Sequence, residues 1–258
     1  MVTILFHSTI FGPIHSRRLG TSLGVNLSPV DGKICTFDCI YCEAGYNSQG
    51  AGTSGLPKRE SVRAQLEDKL KQMRESGETL DVITFSGNGE PTIHRDFHGI
   101  IDDTIALRNL YFPEVKISVL CNSTRLEDER VVSALQKVDN NILKLDSAVT
   151  ETMRLIDQPA SRTLTSEHII EQIAKFGNKC IVQTMMLRGR HDGQVVDNTT
   201  DEEVEALKAA YLRIKPKEVM LYSIDRKTPE ESLEKVSVDE LNEIASRFRA
   251  VGIKVQVN

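Results

Sequence analysis

The stretch KICTFDCIYCEAG, Lys33 to Gly45, places Cys35, Cys39 and Cys42 within eight residues. This spacing suits an open iron–sulfur cluster, because three thiolates leave one iron of a four-iron cubane without a protein ligand. An iron with a free position binds a substrate or cofactor as well as carrying electrons. A structural zinc site asks for four Cys or His ligands, usually with a second pair downstream. Here no second CxxC follows, and His7 and His15 lie well upstream. A disulfide framework fits poorly: five cysteines are an odd number, the chain is not small, and the opening MVTILFHSTIFG lacks the charged start of a secretory signal. Thr36, Asp38, Glu43 and Gly45 around the thiols argue against a core segment.

Outward from this loop, short β-branched runs alternate with helical patterns, as in repeated βα units on a parallel sheet. Ser22 to Leu27 reads as the first strand and leads into the cysteines. Leu80 to Phe85, Val115 to Leu120, Asn141 to Asp146, Ile181 to Leu187 and Val219 to Ile224 read as five more, and Ile253 to Val257 closes the chain. An amphipathic helix from about Glu60 to Ser76 sets Val62, Leu66, Leu70 and Met73 on one face, with Gly77 as its stop. Later helices carry Phe97, Ile101 and Ile105, then Val131, Val132 and Leu135, then Ile169, Ile170, Ile173 and Phe176. Thr200 with Glu203 and Ser237 with Glu240 form capping boxes for the last two. Six units predict an α/β fold, a partial (β/α)6 TIM-like barrel forming one domain over residues 1–258; an open doubly wound sheet is the structural alternative. Gly45 to Pro57, polar and glycine-rich, reads as a flexible loop able to fold over a substrate.

The chain has 258 residues, 40% hydrophobic and 27% charged, without a run approaching the ~20 apolar residues of a membrane helix. A cytoplasmic protein without membrane contact is expected. A net charge of −5 argues against a broad grip on nucleic acid, although a small RNA substrate stays open. The basic pairs Arg17 and Arg18, Lys58 and Arg59, and Arg188 and Arg190 read as solvated faces.

In such barrels the site forms at the C-terminal ends of the strands. After the second strand, Gly87, Asn88, Gly89 and Glu90 form a loop whose missing side chains permit close backbone approach, and Pro91 stiffens it. After the third, Asn122 and Ser123 suit a carboxylate or ribose, or else a helix cap. Cys121 beside them is a small buried hydrophobe or, facing the cavity, a candidate catalytic thiol that donates hydrogen. Lys144 and Asp146 lie two apart on one face of the fourth strand, costly to bury unless paired or ligand-bound. Gln183 and Met185 share a face of the fifth; Cys180 at its start belongs to the core. Tyr222, Ser223, Asp225 and Arg226 follow the sixth. His94, His191 and Asp192 follow the second and fifth strands, where substrate acid–base groups would sit; the two histidines otherwise read as exposed loop residues.

The CxxxCxxC triplet with Tyr41 before its last cysteine, together with FGPIHSRRLGTSLGVNLSP (11–29), FSGNGEPT (85–92), ILKLDSA (142–148) and YSIDRKTP (222–229), resembles the radical S-adenosylmethionine (radical SAM) superfamily. The nearest likeness is to iron–sulfur oxidoreductases related to the wybutosine-synthesis radical enzymes. The resemblance implies a 4Fe-4S cluster on Cys35, Cys39 and Cys42 and a bound S-adenosyl-L-methionine. In that likeness the Gly87–Glu90 loop holds the methionine ammonium, Tyr41 meets the adenine through its backbone, and Lys144 and Asp146 contact carboxylate and ribose. By polarity and position, Asn122 and Ser123 suit the methionine carboxylate or the ribose, Gln183 the ribose, and Tyr222 the adenine or the substrate. Reductive cleavage of the sulfonium would release a 5′-deoxyadenosyl radical that abstracts hydrogen from an unknown substrate, a tRNA base or a peptide being the candidates, with an electron donor such as flavodoxin or ferredoxin. The wybutosine enzymes carry further cluster cysteines, whereas only Cys121 and Cys180 remain here, so a second cluster is not expected. RGRHDG also departs from the family's Gly-x-Asn-Asp. A glycyl-radical enzyme activase and a non-catalytic electron carrier are the alternatives; the carrier gives no reason for GNGEPT, Lys144 or Asp146.

Overall fold

In the computed structural model, which describes residues 4–16 and 19–258 and leaves the Arg17 and Arg18 pair outside, Ile10–Ser16 (β1) and Gly20–Val25 (β2) form an antiparallel hairpin. From β2 onward the chain alternates. Helix α1 (Arg59–Ser76) precedes β3 (Val82–Phe85), α2 (Phe97–Tyr111) precedes β4 (Lys116–Cys121), and α3 (Glu129–Leu135) precedes β5 (Asn140–Lys144). Two helices, α4 (Thr150–Asp157) and α5 (Ser166–Ala174), lie before β6 (Ile181–His191). Then come β7 (Gln194–Asp197), α6 (Asp201–Ile214), β8 (Glu218–Ser223), β9 (Leu233–Lys235), α7 (Val238–Arg249) and β10 (Val255–Val257).

Strands β2, β3, β4, β5, β6, β8 and β10 pair in parallel in that order, with β1 antiparallel on one edge. Within the closing run Ile253 to Val257, β10 supplies a seventh parallel strand by its ladder against β8. Strand alternation divides the sheet. Leu23, Val25, Ile83, Phe85, Ile117, Val119, Leu143, Val182 and Leu221 join the helix faces in the main core. Their neighbours Ser22, Thr84, Leu120, Ile142, Gln183 and Met220 line an open cavity on the other face. That division is the partial barrel expected from the six units.

The sequence signals at the helix ends hold where they rest on local chemistry. Val62, Leu66, Leu70 and Met73 are buried along α1, and Gly77 caps it in the left-handed region at φ 71°. Thr200 and Ser237 accept from the amides of Glu203 and Glu240. The carboxylates of those boxes turn elsewhere, Glu203 to the Ser147 hydroxyl at 2.6 Å and Glu240 to Arg188, because tertiary partners compete with the N-cap amide.

Three local expectations change. Helix α4 was not anticipated. The fifth strand runs on past Leu187 to His191 and turns back through Asp192 and Gly193, both at positive φ, into β7; β9 pairs on the same extension. Asp-Gly is the turn signal for such a hairpin. The Gly45–Pro57 loop is tied down: both Asp31 carboxylate oxygens accept from Thr53 and Ser54, through backbone amides and hydroxyls at 2.7 to 3.1 Å.

Candidate active site

The cysteine segment lies across the C-terminal rim, fastened at each end. Ile34 forms a parallel bridge with Gly89 of the loop after β3, its amide donating to Asn88 O and its carbonyl accepting from Glu90 N, both at 3.1 Å. The amides of Asp38 and Ile40 donate to Asp157 O and Ile156 O at the end of α4. Asn47 closes the arc, donating from Nδ2 to the carbonyls of Cys35 and Phe37. Cys35, Cys39 and Cys42 are free, half-buried thiols.

The glycines of GNGE are explained by this docking. A Cβ on Gly89 would stand 1.8 Å from Ile34 O, and one on Gly87 would stand 2.3 Å from Asn26 Oδ1. The close backbone approach expected of the loop is therefore made to the cysteine segment and to Asn26. The Asn88 side chain faces away from the rim, bonding the amide and carbonyl of Phe6 and the Pro29 carbonyl at 2.8 to 2.9 Å.

Glu90 is buried, and its oxygens are committed: Oε1 accepts from the Thr92 amide and hydroxyl, and Oε2 accepts from the Asn122 amide at 2.6 Å. Burial raises its pKa against the pull of these donors. Asn122 in turn donates to Thr36 Oγ1 at 2.8 Å and reaches Cys35 Sγ at 3.5 Å. Glu90, Asn122 and Cys35 thus form one connected group.

A second group lies under Cys39. Lys144 pairs with Asp146, with Asp157 at 2.9 Å, and with the Tyr41 hydroxyl, and stands over the Tyr41 ring. Tyr41 donates to Asp146, whose other oxygen accepts the Met185 amide at 2.9 Å. Cys39 Sγ donates to Asp157 Oδ1 at 3.5 Å. Burial opposes the Lys144 charge, but the two carboxylates outweigh it and hold its pKa well above the usual lysine value. Burial pushes Asp157 up to about 7. Ser123, at φ 70°, ties this group to β4 by donating to Lys144 O at 3.0 Å.

Below the rim the cavity of about 240 Å³ is lined by Ser22, Thr84, Gln183, Glu43, Asp225 and Arg226 among others. Gln183 is where the register beside Lys144 puts it. Tyr222 packs with Tyr41 around Ile40 and Met185. Cys121 is not in this space. It alternates with Leu120 and sits on the helix side in the main core, accepting the Ser123 amide at 3.3 Å. That placement gives no support to a part in substrate chemistry. His94 and His191 are not exposed either. His94 bonds Pro57 O at 2.7 Å, and His191 is held between Gln158 and Glu230. Cys180 is buried in the core as expected.

Two residues of the site were missed. Asp157 ends α4, and only the helix stop before Pro159 marks it in the sequence. Lys33 is buried (4% exposed), its Nζ donating to Gly45 O at 2.6 Å and Asp38 Oδ1 at 3.1 Å. Its position two residues before Cys35 is the available signal.

The donor set fits an iron–sulfur cluster. Burial pushes the Cys35 thiol up to about 11 and raises the Cys39 thiol well above the ordinary thiol value, so thiolates there need compensating positive charge. Lys33 stands near Cys35 and Lys144 near Cys39, and the iron of a bound cluster would add to them. Among the described residues no three His, Cys, Asp or Glu side chains close on a single ion; a cubane, wider than one ion, asks for thiols set apart.

The sequence profile of the radical SAM superfamily matches residues 30–202. Among curated relatives, a protein named GTPase Obg from Brachyspira hyodysenteriae is 26% identical over 245 residues, covering 93% of this chain and 33% of that protein. A UPF0026 protein of Helicobacter pylori strain 26695 is 26% identical over 250 residues, covering 95% of this chain and 75% of its own length. The chain thus spans only a third of the first of these relatives. A radical SAM methyltransferase from Sphaerobacter thermophilus superposes with a TM-score of 0.68 at 17% identity, covering 92% of this chain and 65% of that one. TYW1 with a lysine-pyruvate adduct bound superposes at 0.60 and 17% identity, covering 90% and 75%. At these identities the structural likenesses establish the fold.

Proposed function

The chain belongs to the radical SAM superfamily, and from that premise we propose that Cys35, Cys39 and Cys42 hold its 4Fe-4S cluster and that the adjoining rim and cavity receive S-adenosylmethionine and a substrate. When bound, cluster and cofactor supply reductive cleavage of the sulfonium and hydrogen abstraction from the substrate. The observation that carries the reading is convergence: three free thiols share one rim with the backbone of Gly87 to Glu90, with Asn122, and with the Lys144, Asp146 and Tyr41 group, above an open cavity.

The chain's own residues bind, orient and exclude water. The Gly89 and Ile34 bridge sets the cysteine segment beside the loop that would receive the methionine ammonium. Glu90 holds that loop to the end of β4, so its charge acts through the Asn122 amide. Lys144 offers the buried cation suited to a carboxylate, with Asp146 and Tyr41 orienting it. Ser123 steadies the β5 end through its bond to the Lys144 carbonyl. Gln183 in the cavity wall would reach the ribose and Tyr222, packed beside Tyr41, the adenine or the substrate, while Glu43, Asp225 and Arg226 give the cavity a polar mouth. The reducing electron comes from a donor of the flavodoxin or ferredoxin type.

Anaerobic reconstitution tests the assignment. About four irons and four sulfides per chain are expected, lost on Cys35→Ala, Cys39→Ala or Cys42→Ala and retained in Cys180→Ala. The dithionite-reduced protein should then release 5′-deoxyadenosine from S-adenosylmethionine. A tightly held single zinc without iron uptake would overturn the cluster assignment; a cluster without cofactor cleavage would make the chain an electron carrier.

A further inference from the structure

Lys33 stands immediately before the cysteine arc and bends back into it. Its side chain is 2% exposed, and its ammonium reaches Gly45, beyond the last thiol, and Asp38, between the first two. The charge therefore lies inside the curve from Cys35 to Cys42. Asp38 is also fixed, accepting the Asn47 amide at 2.7 Å, and its side chain is 24% exposed. Nothing in the docking of the cysteine segment to Gly89, Ile156 or Asp157 uses the Lys33 ammonium. A neutral side chain would be far cheaper to bury there.

We propose that Lys33 is a positioning residue for electron transfer, its buried ammonium raising the reduction potential of the cluster held by the three cysteines. The inference rests on the cluster assignment above. Reduction adds one electron from a low-potential one-electron donor and makes the cluster more negative by one charge. A fixed cation close by and poorly screened stabilises the reduced state more than the oxidised one. Asp38 tempers the effect as the partner of that cation.

The test is a dithionite titration of the reconstituted protein, followed by the electron paramagnetic resonance of the reduced cluster. Lys33→Met should lower the equilibrium constant for one-electron reduction about tenfold, which is ~59 mV more negative. Lys33→Arg should stay near the parent. Asp38→Asn, which keeps an oxygen for the Asn47 amide and the ammonium while losing charge, should move the potential the opposite way. Should Lys33→Met fail to take up iron, the Asp38→Asn shift decides alone. A loaded Lys33→Met at the parent potential, or an Asp38→Asn potential that is unmoved or more negative, would reduce Lys33 to a staple of the loop. Failure of the parent itself to take up iron would instead sink the cluster assignment.

Discussion

A Cβ placed on Gly89 would stand 1.8 Å from the carbonyl oxygen of Ile34, one residue before the first cysteine of the triplet. The glycine thus sets how closely the loop after β3 and the cysteine segment approach. Gly89 sits at φ 152°, so any side chain there meets both backbone strain and a backbone atom.

Gly89→Ala should therefore destabilise the protein by about 2 kcal/mol and lower iron uptake, because relieving the clash moves Ile34 and with it Cys35. Urea unfolding and iron content after reconstitution check the two parts. Parent-like values in both would show that the bridge is dispensable.

Glu90→Ala leaves the buried amides of Asn122 and Thr92 without their acceptor. A cost of about 2 kcal/mol is expected, with S-adenosylmethionine binding weakened more than iron content. Calorimetric binding to the reconstituted variant, beside its iron count, measures the difference.

Lys144→Met removes the cation shared by Asp146 and Asp157 and leaves two buried carboxylates unpaired. The expected loss is about 3–5 kcal/mol. Adding Asp157→Asn should recover part of it, because the two sites share one interaction. A double-mutant cycle by chemical denaturation checks this, and additive losses would contradict the pairing.

Arg59 binds Asp103 with two hydrogen bonds of 2.7 and 2.9 Å, joining α1 to α2, and Arg63 adds a third at 3.3 Å. The Arg59 bonds hold the Asp103 carboxyl below its ordinary 3.8. A depressed carboxyl contributes stability above its unfolded value, and that contribution is lost as pH falls through the folded value. Asp103→Asn should cost about 1 kcal/mol near neutrality, modest because Arg59 is partly exposed. The gap from the parent should close below pH 3.8. Urea unfolding of the two proteins across that range is the measurement, and a gap independent of pH would refute the charge pairing.

Cys121→Ala should leave iron content and cofactor cleavage unchanged and cost about 1 kcal/mol, since the thiol faces the helix layer. Loss of substrate conversion alone, once a substrate is in hand, would return Cys121 to the chemistry.

Periodicity placed the strand and helix alternation and the buried face of α1, and cysteine spacing the thiol-bearing loop, because these depend on neighbours a few residues apart. Lys144, Asp146 and Gln183 were legible for the same reason: strand alternation carries them to one face. The seventh parallel strand was not, since β10 has three residues and exists through its ladder with β8. Nor was the direction of Cys121, Glu90 or Asn88, each decided by partners 32 to 82 residues away or by a one-residue alternation at a strand end. Asp157 joined the site only in three dimensions, and the burial of the Lys33 ammonium beside Asp38 and Gly45 was likewise decided there. A buried charge is tolerated where opposite charges and backbone carbonyls converge on it, and that convergence belongs to the packed chain.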